Sequence, residues 1–347
     1  MKACVLTEYN QFKWLNVPDP EIKSDEVLIK SKYASICGSD QHIFSGDFHP
    51  RTKLPLIPGH EFMGIVEQVG PDVIGVEIGD RVAVDPIIWC GNCPACKRQH
   101  YPACTSLKLL GVDLDGGFGQ YVTTKPHMLY KLGPNVSDMH GSLVEVLGIG
   151  FHSVNRAEVR RDDTIAIWGT GKVGHCILQA VKTRTNGQVF LIDLIEDRLK
   201  LAKDAYPDVI TVNALKGDPL SVIKEHTNGN GVDIAFEAVG HDTSKGATIN
   251  PVRGCINIIR GAGKVVVLGL GDEPAPVIFK ELIWKEAKII ASRVSHGEFA
   301  EVIENMDKGN LKPDVLISDI FKASDIQNAF EILHKEPDKH LKILLEL

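Results

Sequence analysis

The chain has 347 residues, of which 44% are hydrophobic and 24% charged, and 38 Lys and Arg against 45 Asp and Glu leave a formal net charge of −7. That length accommodates about two domains of ~100–200 residues each, and the acidic balance argues against nucleic acid or an anionic membrane surface, which are gripped through basic patches. Apolar runs such as Val265–Leu270 fall far short of the ~18 residues of a membrane span, and Met1–Asn10 lacks the apolar core of a cleavable leader, so a cytoplasmic location is expected.

Residues 1–150 carry β-branched runs punctuated by Gly and Pro, at Glu26–Ile36, Gly64–Val69, Arg81–Asp85 and Gly119–Thr124, which predict a compact, mostly β domain. Two short motifs in it carry chemistry. Cys37-Gly-Ser39-Asp40-x-His42 and Gly59-His60-Glu61 together offer a thiolate, an imidazole and a carboxylate, the makings of an incomplete zinc shell. Each is unremarkable alone, since any single one of thirteen histidines is more often a surface or core residue than a ligand.

Of the eight cysteines, Cys90, Cys93, Cys96 and Cys104 crowd into one loop with the spacing C-x2-C-x2-C-x7-C. Four thiolates are enough for a closed tetrahedral zinc site that stabilises a fold and does no chemistry. Lys97, Arg98 and Lys108 are placed to offset its negative charge. A disulfide framework suits an oxidising compartment better. A loop of free thiols and a nucleic-acid-binding zinc ribbon compete with the closed site, the ribbon disfavoured by the acidic charge.

From residue 151 to 293 the pattern changes to short apolar runs alternating with helical periodicity. The runs Thr164–Trp168, Gln188–Asp193, Asp208–Asn213, Val232–Glu237, Lys264–Leu270 and Lys288–Ser292 predict six strands of a parallel sheet in an α/β domain. Val173, Cys176, Ile177, Ala180 and Val181 recur at helical spacing and predict a helix with one buried face. Directly before it stands Gly169-Thr-Gly171-Lys172-Val173-Gly174, a GxGxxG turn between strand and helix, which reads as a pyrophosphate cradle at a helix N-terminus. Asp193 ends the next strand about 20 residues on, where a carboxylate accepts from the ribose hydroxyls and repels a 2′-phosphate. Leu194 and Ile195 after it bring no positive charge, so NAD is expected over NADP; the alternative is that Asp193 merely caps the following helix. The tail, residues 294–347, holds two helical patterns and the strand-like Leu341–Leu345, and is able to dock on either domain.

In that combination and order the chain resembles the zinc-containing medium-chain alcohol dehydrogenases over its whole length. The resemblance implies a GroES-like β domain with a structural zinc loop at 90–104, a Rossmann domain with a doubly wound six-stranded sheet, a tail returning to the first domain, and an active site in the cleft between domains. It implies two zinc ions per chain and NAD as coenzyme. Alcohol dehydrogenases proper take a third catalytic ligand from cysteine, whereas Leu143-Val-Glu145-Val146-Leu has none and places Glu145 there. This looks like the sorbitol, polyol and threonine dehydrogenase branch, although Val146 replaces its usual Pro. Whether Glu145 or Glu61 touches the zinc is left open by the letters.

On this resemblance zinc polarises a substrate hydroxyl for hydride transfer to NAD. Ser39 then takes the proton and passes it by the coenzyme ribose to His42, while Asp40 orients His60; the plain alternative makes Ser39 and Asp40 turn residues. Lys342 is expected at the pyrophosphate and Arg293 beside the nicotinamide or substrate. The segment Phe44–Arg51, with Phe48 and Arg51 as candidate substrate contacts, suggests a hydroxyl-rich or charged small molecule: a polyol, sugar acid or related secondary alcohol. A threonine-type amino alcohol activity, a zinc-free reductase and a nonenzymatic binding protein retaining the fold are the rival readings, and relatives suggest a homotetramer or homodimer.

Overall fold

The computed structural model describes residues 1–240, 249–271 and 274–347. The chain forms two compact units, one of Met1–Gly148 with Ser295–Leu347, the other of Ile149–Val294.

In the first unit a hairpin of Lys2–Glu8 and Gln11–Asn16 accompanies a seven-stranded sheet. Its strands run Ile317–Lys322, Lys342–Glu346, Val27–Ser35, Glu61–Val69, Arg81–Val84 and Leu129–Lys131, with Tyr121–Thr124 also paired to Val27–Ser35. The tail therefore docks on the first unit: Leu344 pairs with Ser35, and Ser35 pairs in turn with Glu61. The strand expected from Gly64 starts three residues earlier at Glu61, so the Gly-His-Glu motif opens a strand. The core gathers side chains such as Leu6, Ile29, Ile43, Phe62, Phe118 and Phe330. Strand Ile317–Lys322 was not anticipated; it lies at the sheet edge with every second residue exposed.

The second unit is a six-stranded all-parallel sheet in the spatial order Ile210–Asn213, Val189–Asp193, Ile165–Trp168, Val232–Glu237, Ile259–Val267, Lys288–Ala291. Numbered along the chain this is 3-2-1-4-5-6, the doubly wound Rossmann order, as the alternating pattern predicted. One strand begins at Ile259 instead of Lys264: Ile259 pairs with Val232 and Lys264 with Ile234, and the residues between form a bulge in which Ala262 has φ +58. Helix Lys172–Lys182 is buried more widely than a single face: His175, Leu178 and Gln179 are covered along with Cys176, Ile177, Ala180 and Val181. Helix Val144–Ala157 explains part of that cover, since Gly150 approaches so closely that a Cβ there would sit 2.4 Å from the Cys176 carbonyl oxygen. Among the described residues no helix is long and apolar enough to cross a membrane.

Candidate functional site

In the first unit, Cys37 caps helix Gly38–Ser45, and its backbone N–H donates to Asp40 Oδ2 at 2.8 Å. The other Asp40 oxygen lies 3.4 Å from His60 Nδ1, a close charge contact without hydrogen-bond alignment. One buried carboxylate thus ties the helix capped by Cys37 to the imidazole just before strand Glu61–Val69, and the opposite ring nitrogen, Nε2, lies 3.3 Å from Ser39 Oγ. Ligand atoms of Cys37, His60 and Glu61 lie within 4.8 Å of one another. Glu145, in the first turn of helix Val144–Ala157, is buried, and its Oε2 has no hydrogen-bond partner.

The charges at this site act on one another. Burial, then the Glu61 charge, pushes the Glu145 carboxyl up to about 8. Burial and Glu61 also act to raise the Cys37 thiol, but Lys342 and His60 outweigh them and hold it below its ordinary value. For His60 burial opposes the charged form, yet Asp40 and Cys37 hold the imidazolium well above the usual range. Glu61 is kept ionised against burial, chiefly by Lys342. A thiolate, an imidazole with its outer nitrogen steered, and a buried carboxylate oxygen lacking a partner form a soft and hard donor set suited to zinc. The residues fit the metal.

Lys342 corrects the sequence reading. It is sealed in the first unit with no exposed side-chain surface, its Nζ 2.5 Å from both Glu61 oxygens, and so cannot reach a coenzyme pyrophosphate. Ser35 Oγ donates to Glu61 as well. The lone lysine in the apolar run Leu341–Leu345 was the signal for a buried anion that the letters did offer. His42 is exposed, its Nδ1 2.8 Å from Asp47 Oδ2 and its ring stacked on Phe48 at 5.9 Å. Arg51 is part-exposed, and its guanidinium forks onto Asp113 at 3.0 and 2.7 Å. Arg293 is exposed in the second unit.

The four loop cysteines also come together, their sulfurs within 4.8 Å of one another. Cys93 caps the short helix Pro94–Lys97. Backbone amides point at sulfur, from Cys90 to Cys104 at 3.4 Å and from Cys96 to Cys93 at 3.5 Å, which favours thiolate. Hydrogen bonds from the Cys96 and Thr105 backbone bring the Cys93 thiol down to about 5, while burial and then Cys93 raise Cys96 to about 12. All eight cysteines are free of disulfides.

In the second unit a cavity of about 580 Å³ is lined by Gly169, Gly171, Asp193, Arg198, Lys216 and Asp218, among others. Gly169 has φ +95, and a Cβ on Gly174 would meet the Gly169 carbonyl oxygen at 1.9 Å. A Cβ on Gly171 meets nothing nearer than Arg198 Nη1 at 3.7 Å, so this glycine faces the open cradle. Lys172 and Val173 open the helix behind it. Asp193 accepts from the Thr170 amide and hydroxyl at 2.6 and 2.7 Å and from the Leu194 and Ile195 amides. It does not cap helix Glu196–Ala205, whose N-cap is Ile195. Leu194 and Ile195 bring no charge, but Arg198 and Lys216 line the same cavity as Asp193. Arg198 was missed because it sits one helical turn beyond Leu194 and Ile195.

Comparison with known proteins meets this geometry. An alcohol dehydrogenase GroES-like domain matches residues 23–134, and a zinc-binding dehydrogenase domain matches residues 173–308. Sorbitol dehydrogenase of Bacillus subtilis (strain 168) is 30% identical, covering 99% of this chain and 97% of its own. The chain belongs to the zinc-containing medium-chain alcohol dehydrogenases. An alcohol dehydrogenase (rspB) from Escherichia coli CFT073, solved with NADH, superposes on this dehydrogenase with a TM-score of 0.89 at 29% identity, covering 100% of this chain and 99% of that one. A zinc-binding dehydrogenase of Sinorhizobium meliloti 1021 bound to NADP gives 0.90 at 25% identity, with the same coverage.

Proposed function

We propose that this dehydrogenase carries a catalytic zinc on Cys37 and His60 with a glutamate, a structural zinc on Cys90, Cys93, Cys96 and Cys104, and oxidises a secondary alcohol with NAD. The observation that carries the reading is the buried cluster of Cys37, His60 and two carboxylates, one with an unpartnered oxygen, beside a serine hydroxyl. Bound zinc supplies Lewis acidity that makes a substrate hydroxyl easier to deprotonate, and the nicotinamide ring takes up the hydride.

The chain's own groups do the rest. Asp40 fixes the His60 ring so that Nε2 faces the site. Ser39 Oγ stands where it can accept the hydroxyl proton, and His42, three residues along the same helix and open to water, receives it for release with Asp47 sharing the charge. Glycines 169, 171 and 174 bring main-chain amides to the pyrophosphate, and Asp193 takes the ribose hydroxyls once Thr170 yields its oxygen. That carboxylate supports NAD over NADP, with Arg198 and Lys216 as opposing charges on the same wall.

A polyol, sugar acid or related hydroxy compound is the proposed substrate class, supported by the similarity to sorbitol dehydrogenase. Assembly into a homodimer or homotetramer belongs to the same reading: Phe279, Ile283 and Trp284 are largely exposed beside the edge strand Lys288–Ala291. The test is an NAD reduction screen over polyols, sugar acids, amino alcohols and simple alcohols with the zinc-loaded enzyme. Turnover of polyols or sugar acids that Cys37→Ser abolishes supports the proposal, and turnover confined to amino alcohols overturns the substrate class in favour of a threonine-type activity.

A further inference from the structure

This inference rests on the reading above, in which His42 passes the substrate proton to water, and concerns what makes that imidazole ready to take it. His42 lies in the last turn of helix Gly38–Ser45, which ends at Gly46 in a left-handed turn of φ +93. There the chain folds back onto the ring. The amides of Gly46 and Asp47 both donate to the His42 carbonyl, at 3.1 and 2.9 Å, and the return sets Asp47 Oδ2 2.8 Å from His42 Nδ1. Ser45 Oγ stands 2.9 Å from the same carboxylate oxygen. Phe48, the next residue, lies nearly parallel to the imidazole, with 9° between the planes and 5.9 Å between centroids. The turn is braced from the first hairpin: an added Cβ on Gly46 would lie 3.1 Å from the Tyr9 ring, and Tyr9 Oη is 3.2 Å from His49 Nδ1.

A neutral imidazole has one N–H and one bare nitrogen, and only the bare nitrogen can take up a proton. Hydrogen bonds from His42 and then Ser45 hold the Asp47 carboxyl below the ordinary carboxylate range, so at neutral pH it is ionised and can only accept. The proton shared by His42 and Asp47 therefore belongs to Nδ1, and Nε2 is left bare. Both side chains are more than half exposed, so the pair adds little stability. What it fixes is which nitrogen is free. We propose that Asp47 is a positioning residue for proton release, holding His42 in the Nδ1–H tautomer so that Nε2 is the acceptor at every turnover. The proton balance closes. The hydroxyl proton, handed on by Ser39, bonds to Nε2 and makes an imidazolium; water then removes that same proton, while the Nδ1 proton stays on Asp47. The ring returns to its starting form without a flip, and the stacked Phe48 keeps it in plane.

The experiment labels the zinc-loaded full chain with 15N at histidine and records long-range 1H–15N correlation spectra at about pH 8.5, above the usual imidazole pKa of ~6.5. The His42 signals are assigned by their loss in His42→Gln. The wild type is expected to show the Nδ1–H tautomer and Asp47→Ala to lose that preference, although Asp47→Ala keeps the backbone amide that closes the turn. A second readout needs turnover: proton release in a single turnover, followed with an indicator dye, using NAD and the alcohol oxidised fastest in the screen above. Losing a hydrogen bond to a charged partner is expected to slow release about tenfold in Asp47→Ala, with KM for NAD unchanged. Added to His42→Gln, the same substitution is expected to cost nothing further, since Asp47 acts only through His42. An Nε2–H tautomer in the wild type overturns the proposal. So does an Asp47→Ala variant with wild-type spectrum and release, or one that slows release equally in the His42→Gln background. Should His42→Gln release protons at the wild-type rate, the relay reading itself falls and this inference with it; slow release in His42→Gln with wild-type release in Asp47→Ala overturns the inference alone.

Discussion

The glycines of the nucleotide turn separate stability from coenzyme binding, and two alanine substitutions expose the division. A Cβ at position 174 would stand 1.9 Å from the Gly169 carbonyl oxygen, a backbone atom that no rotamer change can move. Strand and helix must part by more than an ångström, an overpacking that costs about 3 kcal/mol, or a Tm lower by about 6–12 °C for a unit of this size. Gly171 differs. Its φ of −72 and ψ of −167 suit any residue, and its added Cβ would make only ordinary contact with Arg198. Gly171→Ala is therefore expected to hold or slightly raise Tm, by the ~0.4–1 kcal/mol that a compatible Gly→Ala gives. It fills the space through which the main chain approaches the pyrophosphate, and losing one charge-assisted hydrogen bond of about 1.5–3 kcal/mol weakens NAD binding roughly 10- to 100-fold. Thermal unfolding and NADH fluorescence titration of both variants measure this. Unchanged NADH affinity in Gly171→Ala, or an unchanged Tm in Gly174→Ala, would refute the division of roles.

Asp193→Ser removes the charge facing a 2′-phosphate and leaves Arg198 in place, so the NAD to NADP ratio of kcat/KM is expected to fall at least tenfold; an unaltered ratio takes Asp193 out of the ribose site. Cys104→Ser should release one of two zinc ions per chain and lower Tm by about 5 °C or more while the second metal stays, as metal analysis with thermal unfolding would show. Loss of neither ion would dismiss the four-cysteine site. Trp284→Glu places a charge among Phe279 and Ile283 and is expected to reduce the assembled mass in light scattering. A mass equal to wild type would put the interface elsewhere.

Much of the fold was legible because its signals are local. The GxGxxG turn lies between a β-branched run and a periodic helix, and the remaining parallel strands are short apolar runs whose type and order the structure reproduces. Strand Ile317–Lys322 escaped because an edge strand alternates apolar with Ser, Asp and Lys and so reads as surface. At the site, the motifs around Cys37, His60 and the cysteine loop could be read because ligand types are few and their spacing is short. Pairings set by cross-strand register or by distant loops could not: the ion pairs of Lys342 with Glu61 and of Arg51 with Asp113 join residues far apart in sequence. The lysine was therefore assigned to the coenzyme although the fold had already committed its charge to a buried carboxylate.

Anomalous diffraction at the zinc edge from crystals of the metal-loaded enzyme tests the central claim most directly. Two peaks per chain are predicted, one among Cys90, Cys93, Cys96 and Cys104, the other bonded to Cys37 Sγ, His60 Nε2 and a glutamate. A single peak at the cysteine loop, with Cys37 and His60 bare under saturating zinc, would contradict it.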